Sequence, residues 1–150
     1  MTPLNEGDKA PAFKAKDENG NTVQLKDFIG KKIILYFYPA DDTPVCTVEA
    51  CNFKENYAVL KKEGFVLLGV SPDSSESHQK FIAKYKLPFS LLADEEKKII
   101  NAYGVWGPKV LYGRKYEGLH RQTFVIDEKG KIGKIVRRVL SKKATQQILK

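Results

Sequence analysis

Soft metal ligands are scarce in this chain: its 150 residues include 2 cysteines and 2 histidines. His78 and His120 stand at no zinc-like spacing from each other or from the cysteines, so no metal centre is expected. Met1 to Phe13 is polar and lacks the apolar h-region of a secretory signal, and no apolar run nears the ~20 residues of a membrane span. A cytoplasmic protein that does not enter the membrane is expected. In a reducing compartment two cysteines are not a structural disulfide framework; such a pair is catalytic, metal-binding or inert. Internal repeats, low-complexity segments and linkers are absent as well, which leaves one domain over residues 1–150, long enough for a real core.

Charge of one sign is not concentrated anywhere. The net charge is +8, but the lysines and arginines are scattered and acidic residues are interleaved with them. No arginine-rich run stands out. A Lys-rich solvated surface explains this better than a nucleic-acid-binding module, the reading that the charge alone would favour. No nucleic-acid partner is expected.

Strands and helices alternate along the chain. Ala12 to Lys16 and Thr22 to Leu25 flank an Asn19-Gly20-Asn21 turn, an N-terminal β-hairpin. Lys32 to Tyr38 reads as a buried strand. Pro44 opens a helix whose Ala50, Phe53, Tyr57 and Leu60 form one stripe ending at Gly64. Phe65 to Ser71 is an apolar strand. A helix capped by Asp73 or a neighbouring serine follows, burying Phe81, Ile82 and Tyr85 and leaving His78 facing solvent. Ser90 to Ala93 is a short strand, and about Glu95 to Tyr103 a helix. Gly104 to Gly118 reads as a connection, in which Gly107 to Gly118 lacks the pattern of a phosphate loop and Trp106 packs near the site. Arg121 to Ile126 and Ile132 to Val139 make a terminal hairpin, and Lys142 to Leu149 a helical tail. This order predicts a mixed α/β sheet with helices on both faces. It fits a thioredoxin-like fold, although alternation alone fits other α/β folds too.

The stretch Pro39-Ala40-Asp41-Asp42-Thr43-Pro44-Val45-Cys46-Thr47-Val48-Glu49-Ala50-Cys51 holds both cysteines. Thr43 suits the N-cap and Pro44 the first helical position, which puts Cys46 in the first turn among unpaired N–H groups at the positive end of the helix dipole. That setting favours a thiolate. The gain is bounded: a thiol of pKa about 8.5 is a few per cent ionised at pH 7, so full ionisation is worth roughly thirtyfold. The rest of any rate enhancement must come from positioning and from donors on the departing group, ideally a hydroxyl such as Thr43 and an arginine. Asp41 and Asp42 oppose the thiolate unless they point away.

Five residues on an intact helix separate two Cα atoms by ~8–9 Å, beyond the ~7 Å that a disulfide spans. Either Cys46 and Cys51 never pair, or the first turns unwind when they do; we favour unwinding. A small buried cysteine is the plain alternative for Cys51.

Pro39-x-x-x-Thr43-x-x-Cys46 resembles the active-site signature of the peroxiredoxins, and Phe37 to Phe53 resembles their Q-type branch, the bacterioferritin comigratory proteins. The resemblance runs on through Tyr103-Gly104-Val105-Trp106-Gly107, Lys115-Tyr116 and Gly118 to Asp127, and so covers nearly the whole chain. It implies a thioredoxin fold and reduction of hydrogen peroxide and alkyl hydroperoxides without metal or bound cofactor. Cys46 then corresponds to the peroxidatic cysteine and Cys51 to the resolving cysteine of an intrachain disulfide. Thr43 corresponds to the hydroxyl that contacts peroxide, Arg121 to the arginine that stabilises thiolate and O–O bond, and Pro39 to the pocket wall. Glu49 matches a position often acidic in the family. Val45 departs from the glycine common there; a β-branched residue would stiffen the loop or narrow the pocket. A thioredoxin-like dithiol is the implied reductant, and a monomer or at most a weak dimer the expected state. A thiol–disulfide oxidoreductase on the same fold would want Cys-x-x-Cys, and these cysteines are too far apart for it.

Overall fold

The fold was obtained as a computed structural model that describes residues 2–149. Its centre is β3 (Lys32–Phe37), in which Ile33 to Phe37 are buried on both faces and therefore read as one continuous apolar run. β4 (Phe65–Ser71) and β5 (Ser90–Ala93) lie parallel to it on one side; on the other, β8 (Gln122–Ile126) runs antiparallel to it and β9 (Ile132–Val136) antiparallel to β8. The expected N-terminal hairpin, β1 (Lys14–Lys16) and β2 (Thr22–Gln24), joins the far edge through Lys16 and Ala93. The sheet order is thus β2-β1-β5-β4-β3-β8-β9. Alternate residues of β3 feed two cores: Ile33, Leu35 and Phe37 pack with Tyr103 and Phe124, while Ile34 and Tyr36 pack with Cys46, Phe53 and Phe81.

The helices are α1 (Pro44–Glu55), α2 (Tyr57–Lys62), α3 (Ser75–Tyr85), α4 (Lys98–Ala102) and α5 (Ala144–Leu149). The single helix expected from Pro44 to Gly64 is therefore two. Asn56, at φ −106° and ψ 10°, breaks it while its side chain donates to the Asn52 carbonyl at 2.8 Å. Such a local side-chain bond competes with the helix ladder. Ser74 caps α3 by accepting from the Ser77 N–H. The predicted connection from Gly104 to Gly118 holds a second, two-stranded sheet, β6 (Trp106–Leu111) and β7 (Arg114–Leu119), hidden in the sequence by internal Gly107 and Pro108. Among the described residues no helix is long and apolar enough to cross a membrane.

Two relationships position the site. β8 runs antiparallel to β3 with Gln122 opposite Phe37, so Arg121 arrives where β3 ends and the loop to α1 begins. Gly69 of β4 leaves room beside Tyr36, since a Cβ there would sit 2.9 Å from the ring.

Candidate active site

Thr43 occupies the N-cap position with extended backbone, and its carbonyl accepts the first intrahelical bond, from the Thr47 N–H at 2.8 Å. Its hydroxyl does not cap the helix as expected. It donates instead to the Ala40 carbonyl at 3.0 Å, bracing the loop. Pro44 follows with no N–H to satisfy, and the amides of Val45 and Cys46 lie in the turn that has no partner within a helix. Cys46 is 2% exposed, its sulfur packed in the core beneath α1.

Along α1, Cys46, Glu49, Ala50 and Phe53 recur at the spacing of one helix face, and all four are buried. Glu49 is consequently carried into the interior beside the thiol. Arg121 meets both from the sheet: one guanidinium nitrogen donates to Cys46 Sγ at 3.1 Å and the other to Glu49 Oε1 at 2.5 Å. Burial pushes the Glu49 carboxyl up to about 7, against the pull of the Arg121 cation. For Arg121, burial works against the charge, yet the Glu49 carboxylate and the Cys46 sulfur more than offset it and the net direction is upward. Tyr36 lies below with its hydroxyl buried; burial first, then the nearby Glu49 and Cys46, raise its pKa far above the ordinary range and keep the phenol neutral.

Asp41 and Asp42 do point away. Asp41 Oδ1 accepts from the Tyr38 hydroxyl at 2.6 Å and its Oδ2 from Ser77 at 2.8 Å. Asp42 turns outward to Lys84 and Tyr85 at 2.8 and 2.7 Å. His78 is not solvent-facing. It is fully buried, with Nδ1 2.7 Å from Asp41 Oδ2 and Nε2 3.0 Å from the Leu92 carbonyl. Its place was readable: His78, Phe81, Ile82 and Tyr85 form a stripe at i, i+3, i+4 and i+7, obscured by the polar residues around it.

Pro39 is exposed at the start of the loop. Val45 does not narrow the surroundings of the thiol. It is 53% exposed and, with Pro44, Val48 and Leu140, lines an apolar hollow of about 470 Å³ between α1 and the C-terminal segment. Trp106 packs against the core on the sheet face opposite Cys46, with Lys97 Nζ 4.8 Å from the ring centre.

Cys51 is half-buried, and both thiols are free. The two cysteines lie on one unbroken helix, so the geometry that keeps them apart is the one inferred from spacing. One residue beyond Cys51, Asn52 ties α1 to the C-terminal segment. Its amide donates to the Lys142 carbonyl at 2.8 Å and its oxygen accepts from the Thr145 N–H at 2.9 Å. Among the described residues no group of three or more His, Cys, Asp or Glu side chains is placed to hold a metal. Chemically, the arrangement is a buried nucleophile at a helix N-terminus, faced by a cation whose second nitrogen is held by a carboxylate.

Residues 6–135 match the AhpC/TSA family. The chain is 47% identical over 133 residues to peroxiredoxin Bcp of Bacillus subtilis, covering 89% of this chain and 85% of that protein. A cysteine-to-serine mutant of PrxQ from Xylella fastidiosa superposes with a TM-score of 0.92 at 27% identity, covering 99% of this chain and 95% of the other. The bacterioferritin comigratory protein of Xanthomonas campestris, whose structures concern its alkyl peroxide reduction, gives 0.87 at 28% identity over 99% and 95% of the two chains.

Proposed function

The chain belongs to the AhpC/TSA family, as a peroxiredoxin of the Bcp and PrxQ kind with a thioredoxin-like fold, and on that premise we propose how its residues reduce a hydroperoxide. It is a thiol-dependent peroxidase. Cys46 thiolate attacks the terminal oxygen of hydrogen peroxide or an alkyl hydroperoxide. An S–O bond forms as the O–O bond breaks, the sulfur becomes a sulfenic acid, and the departing oxygen takes a proton to leave as water or alcohol. The Cys46 N–H and Arg121 stabilise the charge that moves onto that oxygen. The Thr43 hydroxyl already donates its hydrogen bond to the Ala40 carbonyl, so towards peroxide it serves as an acceptor for the substrate O–H. Pro39 stands at the rim of the site.

Cys51 thiolate then attacks the sulfenic sulfur. The S–S bond forms, hydroxide leaves and is protonated to water, and the first turns of α1 unwind to let the sulfurs meet. A thioredoxin-like dithiol returns both cysteines to thiols by exchange. Residues 1–150 act as one catalytic domain, working as a monomer in the cytoplasm, without metal, bound cofactor or nucleic acid.

The observation that carries this reading is the Arg121 guanidinium, bonded at once to Cys46 Sγ and Glu49. Stopped-flow Trp106 fluorescence after peroxide addition, with free thiols counted at the end, tests it. Two phases with both thiols consumed are expected. Peroxidase activity surviving in Cys46→Ser would overturn it.

A further inference from the structure

We propose that His78 is a positioning residue of the peroxide site: hydrogen-bonded at both ring nitrogens, it fixes the Asp41 side chain and thereby the loop that presents Thr43 and Cys46. The inference rests on the peroxidase reading above and extends it to a residue outside the reacting atoms.

The geometry begins with what the ring faces. The His78 side chain is 0% exposed and Asp41's is 5% exposed, so neither draws on bulk water. Nδ1 faces a carboxylate oxygen at 2.7 Å and Nε2 a backbone carbonyl at 3.0 Å. The ring is thus bonded at both ends, to Asp41 on one side and to the backbone of β5 on the other. The Tyr38 hydroxyl, 3.5 Å from Nδ1, does not change this, because its proton goes to Asp41 Oδ1 at 2.6 Å. The remaining polar neighbours agree. Ser77 donates to Asp41 Oδ2, while Asp73 accepts the Asp41 N–H and the Ser71 hydroxyl, each at 2.8 Å.

The loop needs this support. Asp42 sits at φ 53°, in the left-handed region that costs a non-glycine residue energy unless its surroundings hold it. Helix α3 supplies the hold through two adjacent carboxylates, Asp41 on its buried side at Ser77 and His78, and Asp42 on its exposed side at Lys84 and Tyr85. Ala40, next in the chain, carries the carbonyl that receives the Thr43 hydroxyl. A chain of bonds thus runs from His78 through Asp41 to the residue that orients peroxide. Two anchors bracket the thiols, this one upstream of Cys46 and the Asn52 tether downstream of Cys51.

The test has two parts. In the unaltered chain with ¹⁵N-labelled histidine, assigned by comparison with His120→Gln, both His78 ring nitrogens should show the shifts of hydrogen-bonded nitrogens; a ring nitrogen without a hydrogen bond would overturn the proposal. In His78→Gln and Asp41→Asn, the bimolecular rate of Cys46 oxidation should fall about tenfold or more, the scale of a misplaced reacting group. The later Cys51 step should keep its rate, and the double variant should be no slower than the worse single one. A folded His78→Gln that oxidises at the parent rate overturns the inference and leaves the peroxidase reading standing. A parent chain whose Cys46 ignores peroxide removes the reading itself. Variants that fail to fold leave the labelled parent chain to decide.

Discussion

One nitrogen of the Arg121 guanidinium stands 3.1 Å from Cys46 Sγ, brought there because β8 begins where β3 ends. The cation is therefore placed on the sheet, while the sulfur rides on a helix. Replacing Arg121 by Ala should slow Cys46 oxidation about 10²–10³-fold, the usual cost of removing a donor from developing charge. Arg121→Lys should recover only part of this, since a point charge cannot hold Glu49 and the sulfur together through a planar fork. Peroxide-dependent stopped-flow traces give both numbers. An Arg121→Ala rate equal to the parent's would place the arginine outside the chemistry.

Glu49 makes the site sensitive to pH. Its carboxyl, ordinarily at 4.5, titrates near 7 in the folded chain because it is buried, with the Arg121 cation opposing the shift. Below that pH it becomes neutral and loosens its grip on Arg121, so the oxidation rate should fall between about pH 8 and 6. In Glu49→Gln this component of the profile should vanish.

The same group affects stability with a definite sign. The folded chain binds the Glu49 proton more tightly than the unfolded one, so this contribution is greatest below 4.5 and is lost as pH rises through about 7. The shift corresponds to about 3 kcal/mol. Melting curves across that window should decline less steeply for Glu49→Gln than for the parent, and parallel curves would contradict the assignment.

Much of this was readable from residues alone. Thr43-Pro44 before Cys46 announces a thiol at a helix start, and the apolar runs of β3 and β4 announce the buried centre of a sheet. The helix period also places Glu49 on the face of Cys46, although a lone glutamate in a sequence does not say whether a cation will meet it. That meeting depends on strand order, which joins residues 72 positions apart and leaves no local mark. The break at Asn56 and the hairpin of β6 and β7 were hidden for local reasons. A short polar side chain outcompeted the helix in one, and glycine and proline interrupted the alternation in the other.

Thr43 separates a role in the loop from a role towards peroxide. Thr43→Ser keeps the hydroxyl that bonds Ala40 and should retain most of the oxidation rate, whereas Thr43→Val loses both that bond and the acceptor for the substrate O–H. A drop of about tenfold or more is expected for valine. Equal rates for the two variants would show that the hydroxyl does no work in the reaction.

Disulfide formation should melt a defined part of α1. In the reduced chain the Thr47 amide is held by the Thr43 carbonyl, and the helix continues through Cys51 without interruption. Closing the Cys46–Cys51 gap requires those turns to open, whereas Asn52 remains bonded to Lys142 and Thr145. Hydrogen exchange in the disulfide form should therefore quicken at the amides of Thr47 to Cys51 and stay slow at Asn56, whose amide bonds the Asn52 carbonyl at 3.2 Å. Cys51→Ser, oxidised by the same peroxide, should keep the helix protected because its sulfenic acid has no thiol to reach. Full protection of α1 in a verified disulfide form would mean that the sulfurs meet by a movement other than unwinding.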